Sequence, residues 1–133
     1  MWRSAFFRAI VAVMRAIFGP YPARVVEVHD GDTITFDLDL GFGIRLPGQS
    51  WGGTTWLSCR VYGINAPELR DKPAGPDALA YAQQICPPGT RVTILSHGWD
   101  KFGGRFDGTI TLPDGTDFAG LMLAAGQAVS FLV

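Results

Sequence analysis

Residues 33–40, "TITFDLDL", alternate without a break: Ile34, Phe36, Leu38 and Leu40 on one side, Thr33, Thr35, Asp37 and Asp39 on the other. A period of two is that of a strand with one face on a core. Similar patterns place strands at 24–29, 54–64, 90–96 and 105–112. In "TTWLSCRVYGI", Leu57, Cys59 and Val61 face the core, which turns Trp56, Ser58, Arg60 and Tyr62 outward. After this strand the period lengthens. Ala78, Tyr81, Ala82 and Ile85 form the apolar stripe of a helix over 76–86, with Pro76 at its first position and Pro87–Pro88 ending it. Asp117 is placed to cap a second helix over 118–125, with Phe118, Leu121, Met122 and Ala125 inward and Gly126 as its stop. Residues 41–53 are a Gly-rich excursion, expected to be an extended hairpin loop that either lengthens a groove or is simply exposed. Three strands, a helix, two strands and a helix is the order of a five-stranded OB-type barrel, mainly β with helices (α+β).

The first twenty residues follow another pattern. At ~100° per residue, Ser4, Arg8 and Arg15 share one narrow face and Trp2, Phe6, Ile10, Val13, Met14 and Ile17 fill the opposite side. An amphipathic helix over 1–20 is expected, separated by "GPYPA" from one domain over 21–133. Three arginines leave no apolar run near the ~20 residues of a membrane span. The core between Arg8 and Arg15 is short for a signal peptide, and no A-x-A site follows. Packing on the barrel or on a second copy, a cationic membrane-surface helix and an atypical signal are the readings this segment allows; a cytoplasmic location is slightly favoured over a membrane-associated or secreted one.

Composition adds constraints. With 17 Gly and 9 Pro the chain is turn-rich, which favours short strands over long helices. A net charge of −1 gives no global attraction for nucleic acid, so any basic surface is local. Cys59 and Cys86 have no metal-ligand spacing and are expected as buried thiols, with a single bridge as the alternative.

Three short stretches carry the candidate chemistry. Asp30-Gly31-Asp32 suits a tight turn with or without a function. If that turn neighbours the end of the third strand, Asp30 and Asp32 meet Asn65 and Glu68 in an all-oxygen cluster of the kind that holds Ca²⁺. Arg60 lies beside it, and Arg105 arrives from another loop. A divalent cation, two guanidinium groups and a carboxylate base are what phosphodiester cleavage requires. The positive groups neutralise charge growing on phosphate oxygens while the carboxylate takes a proton from water. Arg60 paired with Glu68 for stability alone is the competing reading.

In this order, "DGDT" (30–33), "RVYGINAPE" (60–68) and "DKFGGR" (100–105) resemble the thermonuclease (staphylococcal-nuclease-like) family. Its pattern runs D-G-D-T, R-x-x-x-[IV]-D-x-P-E and D-[KR]-[YF]-G-R, and the similarity extends over about 24–131, including "GPDALAYAQQIC" and "DGTDFAGLMLAAGQAV". The resemblance implies Ca²⁺-dependent hydrolysis of DNA or RNA, leaving 3′-phosphate ends. It makes Asp32 a direct metal ligand with Asp30 close behind, and gives Asn65 and the Ala66 carbonyl as further oxygens. Glu68 would be the general base, Arg60 would hold the scissile phosphate, and Arg105 would stabilise the transition state and the leaving oxygen. Lys101, Phe102 and Phe131 would contact substrate, Phe131 as a base-stacking platform. No nucleotide cofactor is implied.

The chain departs from that pattern at Asn65, where the family has aspartate, which removes one negative charge and predicts weaker Ca²⁺ binding. "DKFGGR" has one extra glycine before its arginine, and Phe102 replaces a tyrosine. These departures keep a second reading open: a catalytically weakened barrel of the same kind that binds nucleic acid or a protein partner. Asp37, Asp39, Arg70, Asp71, Lys72 and Arg91 are expected on solvated faces, Trp56 and Trp99 in packing or on strand exteriors, and His29 and His97 as bystanders.

Overall fold

A computed structural model describes residues 17–42, 44–50, 53–101 and 103–131. The expected N-terminal helix falls on 1–16 for the most part, and with Trp51 and Phe102 it lies outside the described residues.

Strand β1 (Phe18–Asp30) runs antiparallel to β2 (Thr33–Asp39) on one side and to β6 (Arg91–Trp99) on the other. Next come β3 (Arg45–Ser50), β4 (Gly53–Val61), the two-residue β5 (Ile64–Asn65), helix α1 (Ala74–Ile85), β7 (Arg105–Thr111), helix α2 (Phe118–Ala124) and the two-residue β8 (Val129–Ser130). β2 pairs with β4, β4 with β7 in parallel, and β7 with β6, so five strands close a mixed barrel carrying two helices, an OB-like α+β fold. The core is the set of inward residues read from the alternation: Ile34, Phe36 and Leu38 on β2, Cys59 and Val61 on β4, Ile94 and Ile110 opposite. Phe118 and Met122 of α2 and Ala78 and Ala82 of α1 complete it. Cys59 and Cys86 are both buried free thiols, which burial pushes up, to about 11 for Cys86.

Several expectations are corrected. "GPYPA" is not a linker, because Tyr21, Pro22 and Ala23 pair with β6 as part of β1. Pairing with β2 begins only at Ala23, so Pro20 and Pro22 sit where one side of the strand has no ladder to donate to. Residues 45–50 are strand rather than loop, paired with both β2 and β4. Helix α1 begins at Ala74, which moves Pro76 to the third position; its missing N–H is still one of the four that a helix start leaves unpaired. Asp117 does cap α2, accepting from the Gly120 N–H at 3.1 Å, but Ala125 is exposed because the helix ends before it. Asp37 is buried at 5% exposure, since β1 carries Arg24 to within 3.8 Å of its carboxylate.

Candidate active site

The turn between β1 and β2 is set by packing. A side chain at Gly31 would place its Cβ 2.6 Å from the Ala66 Cβ and 3.1 Å from both the Ala78 Cβ and the Met122 Cε. Glycine therefore lets the turn press onto both helices, which leaves the flanking Asp30 and Asp32 to face away from the core. The Asp32 N–H donates to Asp30 Oδ1 at 3.0 Å, and Thr33 Oγ1 donates to Asp32 Oδ1 at 3.2 Å. Asp32 Oδ2 accepts the Ala66 N–H at 2.8 Å, tying the turn to the segment after β5. That segment is held from behind: a Cβ at Gly75 would lie 1.9 Å from the Glu68 carbonyl oxygen, so the start of α1 fixes the Glu68 backbone.

These elements open onto a cleft of about 590 Å³ lined by Asp30, Asp32, Thr33, Arg60, Asn65, Ala66, Glu68, Trp99, Asp100, Lys101, Arg105, Asp107 and Phe131. Every candidate site residue from the sequence lines it except Phe102, which lies outside the described residues. Arg60 Nη2 donates to Asn65 Oδ1 at 3.2 Å and sits 4.0 Å from Asp32 Oδ2. Its guanidinium lies 5.1 Å from the centroid of the Phe131 ring, a cation–π contact. The pairing of β5 with β8, not foreseen from the sequence, and the Phe131 N–H bond to the Gly63 carbonyl bring that ring into place. Arg105 opens β7 opposite Ser58, and its Nε donates to Asp100 Oδ2 at 3.3 Å. Glu68 pairs not with Arg60 but with Arg70, at 2.6 Å on an exposed surface.

Asp100, Asp107 and Trp99 line the cleft without having been singled out by the sequence as site residues. Asp107 follows Arg105 by two, so strand alternation alone puts the two on one face. Asp100 and Trp99 sit directly before Lys101 and carried no such periodic signal. His29 and His97 stay outside the cleft, bonded to Thr35 and Thr109.

Charge distinguishes the cleft from the rest of the chain. Five carboxylates (Asp30, Asp32, Glu68, Asp100 and Asp107) face three cations (Arg60, Lys101 and Arg105), a formal −2. Burial pushes Asp32 up from 3.8 to about 6; the Ala66 N–H opposes that and the neighbouring Asp30 adds to it. Asp107 is also raised, first by burial and then by Asp100. Ionised Asp32 is thus costly here, and a divalent cation would supply the missing positive charge. Among the described residues no three Asp, Glu, His or Cys side chains converge as a ligand group. A cation would therefore draw on Asp32 together with neutral oxygens from Asn65 and the Ala66 carbonyl, a set that suits Ca²⁺ with modest affinity.

The chain matches no protein-family model and no curated protein. Among the described residues no helix is long and apolar enough to cross a membrane.

Proposed function

We propose that the chain is a small Ca²⁺-dependent nuclease of the thermonuclease type, hydrolysing phosphodiester bonds of DNA or RNA. The observation that carries this reading is the meeting of three sequence-distant motifs, 30–33, 60–68 and 100–105, on one cleft. Asp32, Asn65 and the Ala66 carbonyl would hold the cation, with Asp30 behind them. When bound, Ca²⁺ would neutralise charge on the phosphate and polarise the attacking water. Arg60, braced by Asn65 and Phe131, would hold the scissile phosphate. Glu68 would exchange its exposed partner Arg70 for that water and accept its proton. Arg105 would turn from Asp100 toward the leaving oxygen, where a preorganised cation stabilises the charge that develops. A cleft of formal −2 does not attract a polyanion, so binding of substrate is expected to depend on the cation as well.

One observation favours a second reading. Glu68 is engaged by Arg70 at 2.6 Å, which suits a barrel that binds nucleic acid or a protein partner with weakened catalysis. The two readings separate on cleavage of single-stranded and duplex DNA with Ca²⁺ and with chelator, beside a Glu68→Gln variant. Cleavage that needs Ca²⁺ and falls by about 10²–10⁴-fold in the variant is expected from a lost general base. Cleavage that persists in chelator or is unchanged in Glu68→Gln would sink the mechanism. No cleavage at any Ca²⁺ concentration favours the binding module.

A further inference from the structure

Phe131, the aromatic expected to stack a base, already carries the Arg60 guanidinium over its ring. That contact occupies one face of the ring, so a further aromatic surface for a base is sought along the cleft. Trp99 ends β6 with 66% of its surface exposed, far more than a packing residue of that size retains. A break in the β6–β7 register falls between Ser96 and Trp99, an irregularity of the kind that turns a side chain out of the regular alternation. Gly98, at φ +92, supplies the backbone conformation this needs.

Trp99 also borders a second hollow of about 230 Å³, walled among others by Phe18, Tyr21, Leu38, Leu57 and Phe106. Trp99 thus borders both a polar, charged cleft and an apolar hollow. The hollow is smaller than the ~300–1,000 Å³ pockets that take whole small molecules, so it suits one flat ring system rather than a nucleotide. A nucleotide divides chemically in the same way, into a charged phosphate and a flat, weakly polar base.

From this continuity we infer that Trp99 and the adjoining hollow form a nucleobase-binding subsite, taking an unstacked base of the strand whose phosphate lies at Arg60 and Arg105. The inference rests on the proposed reading of the cleft as a site for nucleic acid, cleaved or only bound, and narrows that partner to single-stranded or locally unpaired strands. A paired base is stacked within its duplex and not free to enter.

The test compares the full chain with Trp99→Phe and Trp99→Ala. Each is given a single-stranded oligonucleotide and the same strand with one abasic residue beside the scissile phosphate, in Ca²⁺. KM for the intact strand is expected to rise about 5- to 150-fold in Trp99→Ala, the strength of one base on an aromatic ring, with kcat within about twofold. Trp99→Phe should keep most of the affinity. The abasic residue should cost the wild type the same factor and cost Trp99→Ala nothing more, because both remove one contact. Oligonucleotide binding by anisotropy in a Glu68→Gln background reads the same dependence without turnover. If Trp99→Ala fails to fold, Trp99→Leu, which keeps bulk but removes the ring, takes its place and should show the same rise in KM and the same insensitivity to the abasic residue.

Unchanged KM and affinity in Trp99→Ala, an abasic penalty that persists there, or equal affinity for duplex and single strand would overturn the subsite. No oligonucleotide binding at all would overturn it too. Ca²⁺-dependent cleavage without Trp99 dependence would leave the nuclease reading standing. Trp99-dependent binding without cleavage would remove that reading and keep the subsite.

Discussion

The two walls of the cleft are built to different standards. The wall carrying Asp30, Asp32 and Asn65–Glu68 is keyed into the core. Gly31 leaves no room for a side chain against Ala66, Ala78 and Met122, and the Asp32 carboxylate and carbonyl are tied to the N–H groups of Ala66 and Val61 at 2.8 Å each. The wall carrying Trp99–Arg105 spans the connection from β6 to β7, with Gly103 and Gly104 at φ +75 and +77; among the described residues nothing lies within 4 Å of a Cβ added at either, and the Gly103 N–H donates to the Asp100 carbonyl at 2.8 Å. It is pinned at its ends, where the Asp100 N–H meets the Arg105 carbonyl at 2.9 Å and the Asp100 carboxylate holds Arg105. Oxygens that would meet a cation need fixed positions, because ligation is sensitive to distance. A guanidinium on a long side chain tolerates slack in the loop before it, provided the strand that follows sets its register.

The largest effect should come from the rigid wall. Asp32→Asn removes the one carboxylate proposed as a direct ligand, and cleavage is expected to fall by at least about 10²-fold, as for loss of a major electrostatic contributor. The same change should stabilise the protein in chelator. Asp32 is raised from 3.8 to about 6, so its ionised form is disfavoured in the fold; in chelator, stability is highest below about 4 and is lost as pH rises through about 6. Asp32→Asn should flatten that slope and add on the order of 1–3 kcal/mol at neutral pH, since each tenfold change in proton affinity between the folded and unfolded chain is worth about 1.4 kcal/mol. Melting curves between pH 4 and 7.5 check the sign, and a wild-type curve rising with pH across that window would contradict it.

Packing offers the next contrast. Gly31→Ala forces a methyl against Ala66 and should cost about 1–3 kcal/mol, as over-packing does, with activity lost as the turn shifts. Deleting Gly104 removes the residue that lengthens "DKFGGR". Loop closure should change by well under ~0.6 kcal/mol, and kcat by less than about tenfold, because Arg105 is placed by its β7 register opposite Ser58 rather than by the loop. Chemical denaturation and kcat measured on both variants test whether the walls differ as described. A Gly104 deletion as damaging as Gly31→Ala would remove the distinction.

How far these features were legible follows from the length scale of each signal. Alternation in "TITFDLDL" and "TTWLSCRV" placed β2, β4 and the core, and the order of elements placed the barrel. Motif spacing brought Asp32, Arg60, Asn65, Glu68 and Arg105 together. What escaped depended on contacts between distant segments. Asp37 reads as solvent-facing from alternation, yet β1 covers it with Arg24. "GPYPA" reads as a break from its prolines, yet a ladder on one side only accommodates them. The β5–β8 pairing that brings Phe131 beside Arg60 joins two-residue strands, too short to leave a periodic signal. Asp107 was within reach of the period-two rule once Arg105 had been singled out.

Asn65 bears most directly on the central claim. Its Oδ1 accepts from Arg60, and it would offer a cation a neutral oxygen where a carboxylate would add charge. Cleavage of a single-stranded oligonucleotide should be followed while Ca²⁺ is raised stepwise from chelator, in the wild type and in Asn65→Asp. No cleavage is predicted in chelator, and the Ca²⁺ needed for half-maximal rate should fall about tenfold in the variant, as added ligand charge tightens such sites. Cleavage without Ca²⁺, or the same Ca²⁺ requirement in both proteins, would contradict a cation held at this cleft.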